Sequence, residues 1–211
     1  MNMDHPDIPE NLINALYHKK EETYLEYKGD VPWSDRAKML EIIQTIFALS
    51  NEKGGGIIVV GVKDDGERSG LSDSNYHSYS HDIINQYLTG RSNQPIQCKL
   101  EKFGHMDIDD KKEKKFVFIQ VNESKEFPLV YIGHQELINQ SVPSYNDNIC
   151  LRTGALYIRN QSNIGNKEII TVHEWQELIE RTYKKFEKET IRRYSKIKEE
   201  DVNPFDRELK I

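Results

Sequence analysis

The chain has 211 residues, enough for one domain of ordinary size with a proper core, and carries a net charge of −6 with a pI near 5.7. This balance excludes a global basic field, so any nucleic-acid partner must be gripped by a local patch. Cys98 and Cys150 stand far apart in the sequence, which excludes zinc held by cysteine and a disulfide framework. The opening "MNMDHPDIPENL" lacks the basic and apolar regions of a signal peptide, and no apolar run reaches membrane-spanning length. A cytoplasmic protein with no membrane partner is expected.

Pro9 opens a short helix predicted over 10–18, with Leu12, Ile13 and Leu16 on one side. A strand over 23–28 and the turn "GDVPW" follow. Ser34 reads as the N-cap of "DRAKMLEIIQTIFALSN", where Leu40, Ile43 and Phe47 belong to a broad apolar stripe. "GGGIIVVGVKDDG" supplies glycines, a wholly apolar strand buried on both faces, and an acidic turn. A helix is expected over 76–88, and strands over 94–103, 115–122, 127–132 and 156–159. "HMDIDDKKEKK" reads as a solvated hairpin tip, and 133–150 as a polar, flexible loop. A helix runs over 171–200 before a short tail. Unevenly interleaved strands and helices predict an α+β fold: a mixed β-sheet flanked by helices, with a long C-terminal helix. The expected division is 1–170 for the domain and 171–211 for the basic helix and tail.

Four stretches invite a chemical reading. In "EETYLEYK" Glu26 and Lys28 share a strand face, ~6–7 Å apart. A carboxylate and an ammonium so placed suit Mg²⁺ or Mn²⁺ and a phosphate; the plain alternative is a solvated face. Asp64, just past the apolar strand, is well sited as a ligand, whereas Asp65 and Gly66 are good turn chemistry. Gly54, Gly55 and Gly56 follow a helix and precede a strand, the reverse of a phosphate loop, so they read as a helix end and close turn. His77 and His81 have helical i, i+4 spacing but lack the accompanying Glu of a zinc motif, which favours ordinary surface or core histidines. No Ser or Cys has an informative His beside it.

Taken in order, "ETYLEYK", "IIQTIFALSNEKGGGIIVVGVKDDGERSGL", "FPLVYI" and "LYIRNQS" resemble the Schlafen AlbA_2 domain family over about residues 20–165. The resemblance implies an α+β fold that handles RNA or DNA. In nuclease members it implies a three-carboxylate site using Mg²⁺ or Mn²⁺, carried here by Glu21, Glu26 and Asp64, with Lys28 beside them. Strand alternation prefers Glu22 to Glu21 as the partner of Glu26, so Glu22 stands as the alternative ligand. The zinc-binding cluster and second lobe of animal relatives are not matched, and no helicase or ATPase segment is present.

The leading expectation is therefore a metal-dependent endonuclease cleaving RNA, tRNA among the candidates, or DNA. The alternatives are a non-catalytic nucleic-acid-binding or regulatory module, and an interaction subunit using the terminal helix. Arg159 and the helical Lys184, Lys185, Lys188, Arg192 and Arg193 are the expected phosphate contacts. The stretch 184–198 is expected to project as a partly exposed element. A single lobe leaves a groove half built, which predicts a homodimer or a complex with another subunit. A role in bacterial or phage defence rests on family analogy alone.

Overall fold

The computed structural model describes residues 8–109, 111–125, 128–138, 149–160 and 164–200. Its contacts divide the chain into two compact units, Met1–Ile169 and Ile170–Ile211.

In the first unit, β1 (Leu25–Lys28) runs parallel to β2 (Gly56–Val60). Parallel neighbours need a crossover, and α2 (Arg36–Ser50) provides it. β4 (Glu113–Val121) pairs antiparallel with both β2 and β3 (Cys98–Met106), completing a mixed sheet in the order β1-β2-β4-β3. Alternation sorts the strand residues between two cores. Ile58, Val60, Val117, Ile119 and Val121 pack with the apolar side of α2. On the opposite face Leu25, Tyr27, Val59, Phe116 and Phe118 meet Leu12, Ala15 and Leu16 of α1 (Glu10–Leu16). The unbroken apolar run of β2 is thus used on both sides, as its sequence predicts. Because Leu25 and Tyr27 face α1, Glu26 and Lys28 must face α2, at the β1 edge of the sheet. The fold is α+β, a mixed sheet flanked by helices.

Several boundaries depart from expectation. Asp35, not Ser34, caps α2, its carboxylate accepting from Lys38 N at 3.1 Å. The helix expected over 76–88 is two, α3 (Asp73–Ser78) and α4 (His81–Leu88), because Ser80 starts a new helix by accepting from Ile83 N at 3.2 Å. His77 and His81 therefore lie on different helices, and the i, i+4 geometry is lost. Within 133–150, β5 (Glu136–Leu137) pairs with β6 (Ile149–Leu151), while 139–148 lie outside the described residues. Beyond them β7 (Tyr157–Arg159) and β8 (Asn166–Glu168) form a hairpin. The described part of 127–132 is not a strand beyond a single bridge from Tyr131 to Ser92. Its backbone bonds go instead to separate loops and to a side chain: Tyr131 N to Ala155 O, Ile132 N to Arg91 O, and Leu129 N to Asn51 Oδ1.

Asn51 shows why the "ALSN" end of α2 takes the form it does. Fully buried, it accepts from Leu129 N at 2.8 Å and donates to Leu129 O at 2.9 Å and Tyr157 O at 3.0 Å. The glycines that follow allow the chain to turn tightly into β2. A Cβ on Gly55, whose φ is +73°, would lie 2.0 Å from Val121 O. This is a structural role, consistent with the reading against a phosphate loop. Asn51→Ala would strand three buried backbone groups, at about 1–3 kcal/mol each before relaxation. A loss of roughly 3 kcal/mol or more is expected in urea unfolding.

The second unit contains α5 (Val172–Glu200). Thr171 Oγ1 accepts from Glu174 N at 3.3 Å while Glu174 Oε2 accepts from Thr171 N at 3.0 Å, a reciprocal cap that fixes its start. Among the described residues no helix is long and apolar enough to cross a membrane.

Candidate active site

The stretch before β1 does not continue as a strand. Glu22 and Leu25 exchange backbone hydrogen bonds of 3.1 and 3.0 Å across a tight turn at Thr23 and Tyr24. The turn folds Glu21 back along β1, where its Oε1 accepts from Tyr27 N at 2.8 Å. Five residues of sequence separation would put Glu21 and Glu26 on opposite faces of a straight strand; the turn removes that obstacle. Burial raises the Glu21 carboxyl above the ordinary carboxylate range, the nearby charges of Glu26 and Asp64 raise it further, and the Tyr27 N–H and Lys28 pull the other way. Glu22 has a different role, with a loose 3.9 Å ion pair to Lys20 and a carbonyl that accepts from Arg159 at 3.4 Å.

Glu26 is buried between two cations. Its Oε1 accepts from Lys28 Nζ at 2.5 Å, and its Oε2 lies 2.7 Å from an Arg159 guanidinium nitrogen. The second contact, through Arg159 Nη2, is an ion pair without hydrogen-bond geometry, and Glu26 Oε2 is buried without a hydrogen bond, as is Arg159 Nε. Burial would lower the Lys28 ammonium, but Glu26, Glu41 and Glu21 outweigh it and hold it above its usual value. Arg159 is wholly buried, donating to Asn166 Oδ1 at 2.8 Å; Asn166 in turn donates to Thr45 Oγ1 at 2.7 Å. Arg159 was expected to grip phosphate. Its guanidinium is instead buried against Glu26.

Asp64 stands exposed just beyond β2. The turn that carries it closes with Gly66 N donating to Lys63 O at 2.8 Å, and Asp65 Oδ1 accepts from Glu67 N at 2.9 Å. Asp65 and Gly66, the latter with φ +85°, thus do the turn chemistry and leave the Asp64 carboxylate outside it. The turn is anchored at its far end by Arg68, which donates to Asp107 Oδ2 at 3.0 Å, pairs with Asp109, and lies 4.4 Å from the Tyr17 ring centre.

Asp107 corrects the view of the β3–β4 tip as plain solvated surface. It is 1% exposed and also accepts from Lys114 at 3.3 Å and from Asp109 N at 2.8 Å. Burial would raise its carboxyl, but these donors and Arg68 outweigh it and hold it at about 2. A depressed carboxyl contributes stability above its unfolded value and loses it as pH falls through the folded one. Thermal melts should therefore show stability declining from about pH 4 toward about pH 2. Asp107→Asn should flatten that decline and lower the melting temperature at neutral pH.

Sequence reasoning missed Glu41. It sits on α2 between the buried Leu40 and Ile42, and its charge acts on Lys28. A charged residue set inside an apolar stripe was the available signal. The remaining expected contacts, Lys184, Lys185, Lys188, Arg192 and Arg193, lie on α5 in the second unit, where Lys184 pairs with Glu180 at 2.6 Å.

The donor set suits a hard divalent cation: all-oxygen ligands, a buried Glu26 oxygen lacking a hydrogen bond, and acids whose mutual repulsion a cation would relieve. As the side chains stand, no group of three or more His, Cys, Asp or Glu among the described residues is close enough to hold a metal. Glu26 is instead engaged by Lys28 and Arg159.

The sequence model of the family described as "Schlafen, AlbA_2" matches residues 21–168. The chain belongs to the Schlafen AlbA_2 family. The match begins at Glu21 and takes in Glu26, Lys28, Asp64 and Arg159, and the family points to work on nucleic acid. A comparison with curated proteins returns no match. Among solved structures, the DIP2311 protein from Corynebacterium diphtheriae is similar with a TM-score of 0.41 and 13% identity over 73% of this chain. The chain spans 27% of that protein, and a likeness at this level carries no argument about function.

Proposed function

We propose that this Schlafen AlbA_2 protein is a divalent-metal-dependent endonuclease acting on RNA, tRNA included, or DNA in the cytoplasm. What supports the reading is that the turn at Thr23 and Tyr24 folds Glu21 back onto the strand of Glu26, its Oε1 on Tyr27 N at 2.8 Å, within a family match that takes in Glu21, Glu26 and Asp64. Glu21, Glu26 and Asp64 would hold Mg²⁺ or Mn²⁺. When bound, the ion supplies positive charge to the scissile phosphate and helps ionise a water near neutrality.

The chain's own groups do the positioning. Arg159 holds Glu26 from behind, the Tyr27 N–H orients Glu21, and the Arg68–Asp107 pair steadies the loop of Asp64. Lys28, kept protonated, adds charge beside the phosphate. The basic residues of α5, Lys184, Lys185, Lys188, Arg192 and Arg193, are exposed or half-buried and add positive charge within their own unit.

A second reading, a nucleic-acid-binding module without cleavage, is favoured by the pairing of Glu26 with two cations, which is complete without a metal. Incubation with labelled tRNA, single-stranded RNA and duplex DNA, in Mg²⁺ or Mn²⁺ and in EDTA, separates the two. Cleavage that stops in EDTA supports the nuclease. Salt-sensitive binding with every substrate intact supports the module.

A further inference from the structure

One face of α5 is apolar and exposed. Val172, Trp175, Ile179, Tyr183, Phe186 and Tyr194 expose between 43% and 73% of their surface. Their steps of three, four, four, three and eight residues follow an eleven-residue period in which Thr190 fills the one polar position, with Val172, Tyr183 and Tyr194 equivalent. At 3.67 residues per turn such a period drifts little around a straight helix, so the six stay within an arc of about 100° over ~33 Å. Four are aromatic. An exposed stripe of this length on an otherwise charged helix is a partner surface rather than scattered surface residues.

The charge on the same helix selects the partner. Residues 173–182 hold Glu174, Glu177 and Glu180 against Arg181, whereas 183–198 hold seven Lys or Arg against Glu187 and Glu189. The helix is therefore acidic at its start and basic toward its end, which fits its own inverted copy. A parallel copy would set basic half against basic half. Nucleic acid would meet the basic half but would be repelled by the acidic one, and would leave the stripe uncovered. Burying the aromatics of both copies gives roughly 1,000 Å², about the lower limit for a specific interface.

We infer that α5 is a self-association element, pairing antiparallel with the α5 of a second copy through the Val172–Tyr194 stripe and its complementary halves. The inference does not depend on the nuclease reading. An antiparallel pair is two-fold symmetric and closes on itself, so it yields a dimer rather than a chain of copies.

Sedimentation equilibrium of the full chain at tens of micromolar tests it. A dimer is expected, and Tyr183→Asp with Phe186→Asp should give a monomer of unchanged helical content. Reversing the acidic half (Glu174→Lys, Glu177→Lys, Glu180→Lys) should weaken the dimer about tenfold or more. Adding Lys184→Glu, Lys185→Glu, Lys188→Glu, Arg192→Glu and Arg193→Glu in the same chain should restore it, because swapping the charges of both halves of the Val172–Tyr194 stripe preserves antiparallel complementarity. A monomeric wild type, a dimer indifferent to the Asp substitutions, or a double swap that stays weak would each overturn the inference. So would a monomer whose α5 lysines serve only to bind added nucleic acid.

Discussion

Asp64→Ala is expected to abolish cation-dependent cleavage while leaving the melting temperature within a degree or two of wild type, roughly the effect of a neutral surface change. Asp64 is exposed, and the turn around it is held by Asp65, Gly66 and the Arg68–Asp107 pair. Removing its carboxylate therefore takes away charge without taking away structure. Loss of a supporting group around a bound metal costs about 10–100-fold, so loss of a ligand should reach at least the upper end of that range. The fall should appear in kcat/KM for whichever nucleic acid is cut. Asp65→Ala is the control: it touches the turn rather than the ligand set and should retain most activity. Equal losses for the two variants would mean that the loop, not the Asp64 carboxylate, matters.

Arg159→Ala should rank with Asn51→Ala among the most damaging single changes to stability. The guanidinium is fully buried and opposes the Glu26 carboxylate at 2.7 Å, with Asn166 and the Glu22 carbonyl as further partners. Removing one side of a buried pair leaves the other charge uncompensated, at about 3–5 kcal/mol. Lys28 also contacts Glu26 and offsets part of this. Urea unfolding should show the loss directly, and the double variant Arg159→Met with Glu26→Gln should recover part of it, since no unpaired charge then remains. A single Arg159→Ala change of less than about 1 kcal/mol would place the pair in a screened, solvated setting.

Long, strongly patterned elements are legible in the sequence. The stripe of α2, the two-sided burial of β2 and the extent of α5 all follow from periodicity alone. What escaped depends on contacts far apart in the chain. The 127–132 segment has the composition of a strand, but its hydrogen bonds are taken by Asn51, Ala155 and Arg91, which lie distant in sequence. The break between α3 and α4 turned on whether Ser80 would act as a cap or continue a helix. At the site, the family pattern pointed to Glu21 against the strand geometry; the strand ends instead in a turn at Thr23 and Tyr24 that folds Glu21 back along β1, which periodicity alone does not foresee. Arg159 looked like a surface cation because nothing local marks a β-strand arginine as buried; its partner, Glu26, lies at the other end of the first unit's sequence. Asp107 misled in the same way, as one acid in a run of charges that happens to face Arg68.

In the proposed function Glu21, Glu26 and Asp64 act together as a cation site. Its most direct test is a Mn²⁺ titration of the full chain followed by electron paramagnetic resonance of the free ion, which requires no knowledge of the substrate. Saturable binding of one or two Mn²⁺ per chain is expected, displaced by Mg²⁺ and lost in both Glu21→Gln and Asp64→Asn. Absence of saturable binding, or binding that survives both substitutions, would contradict it.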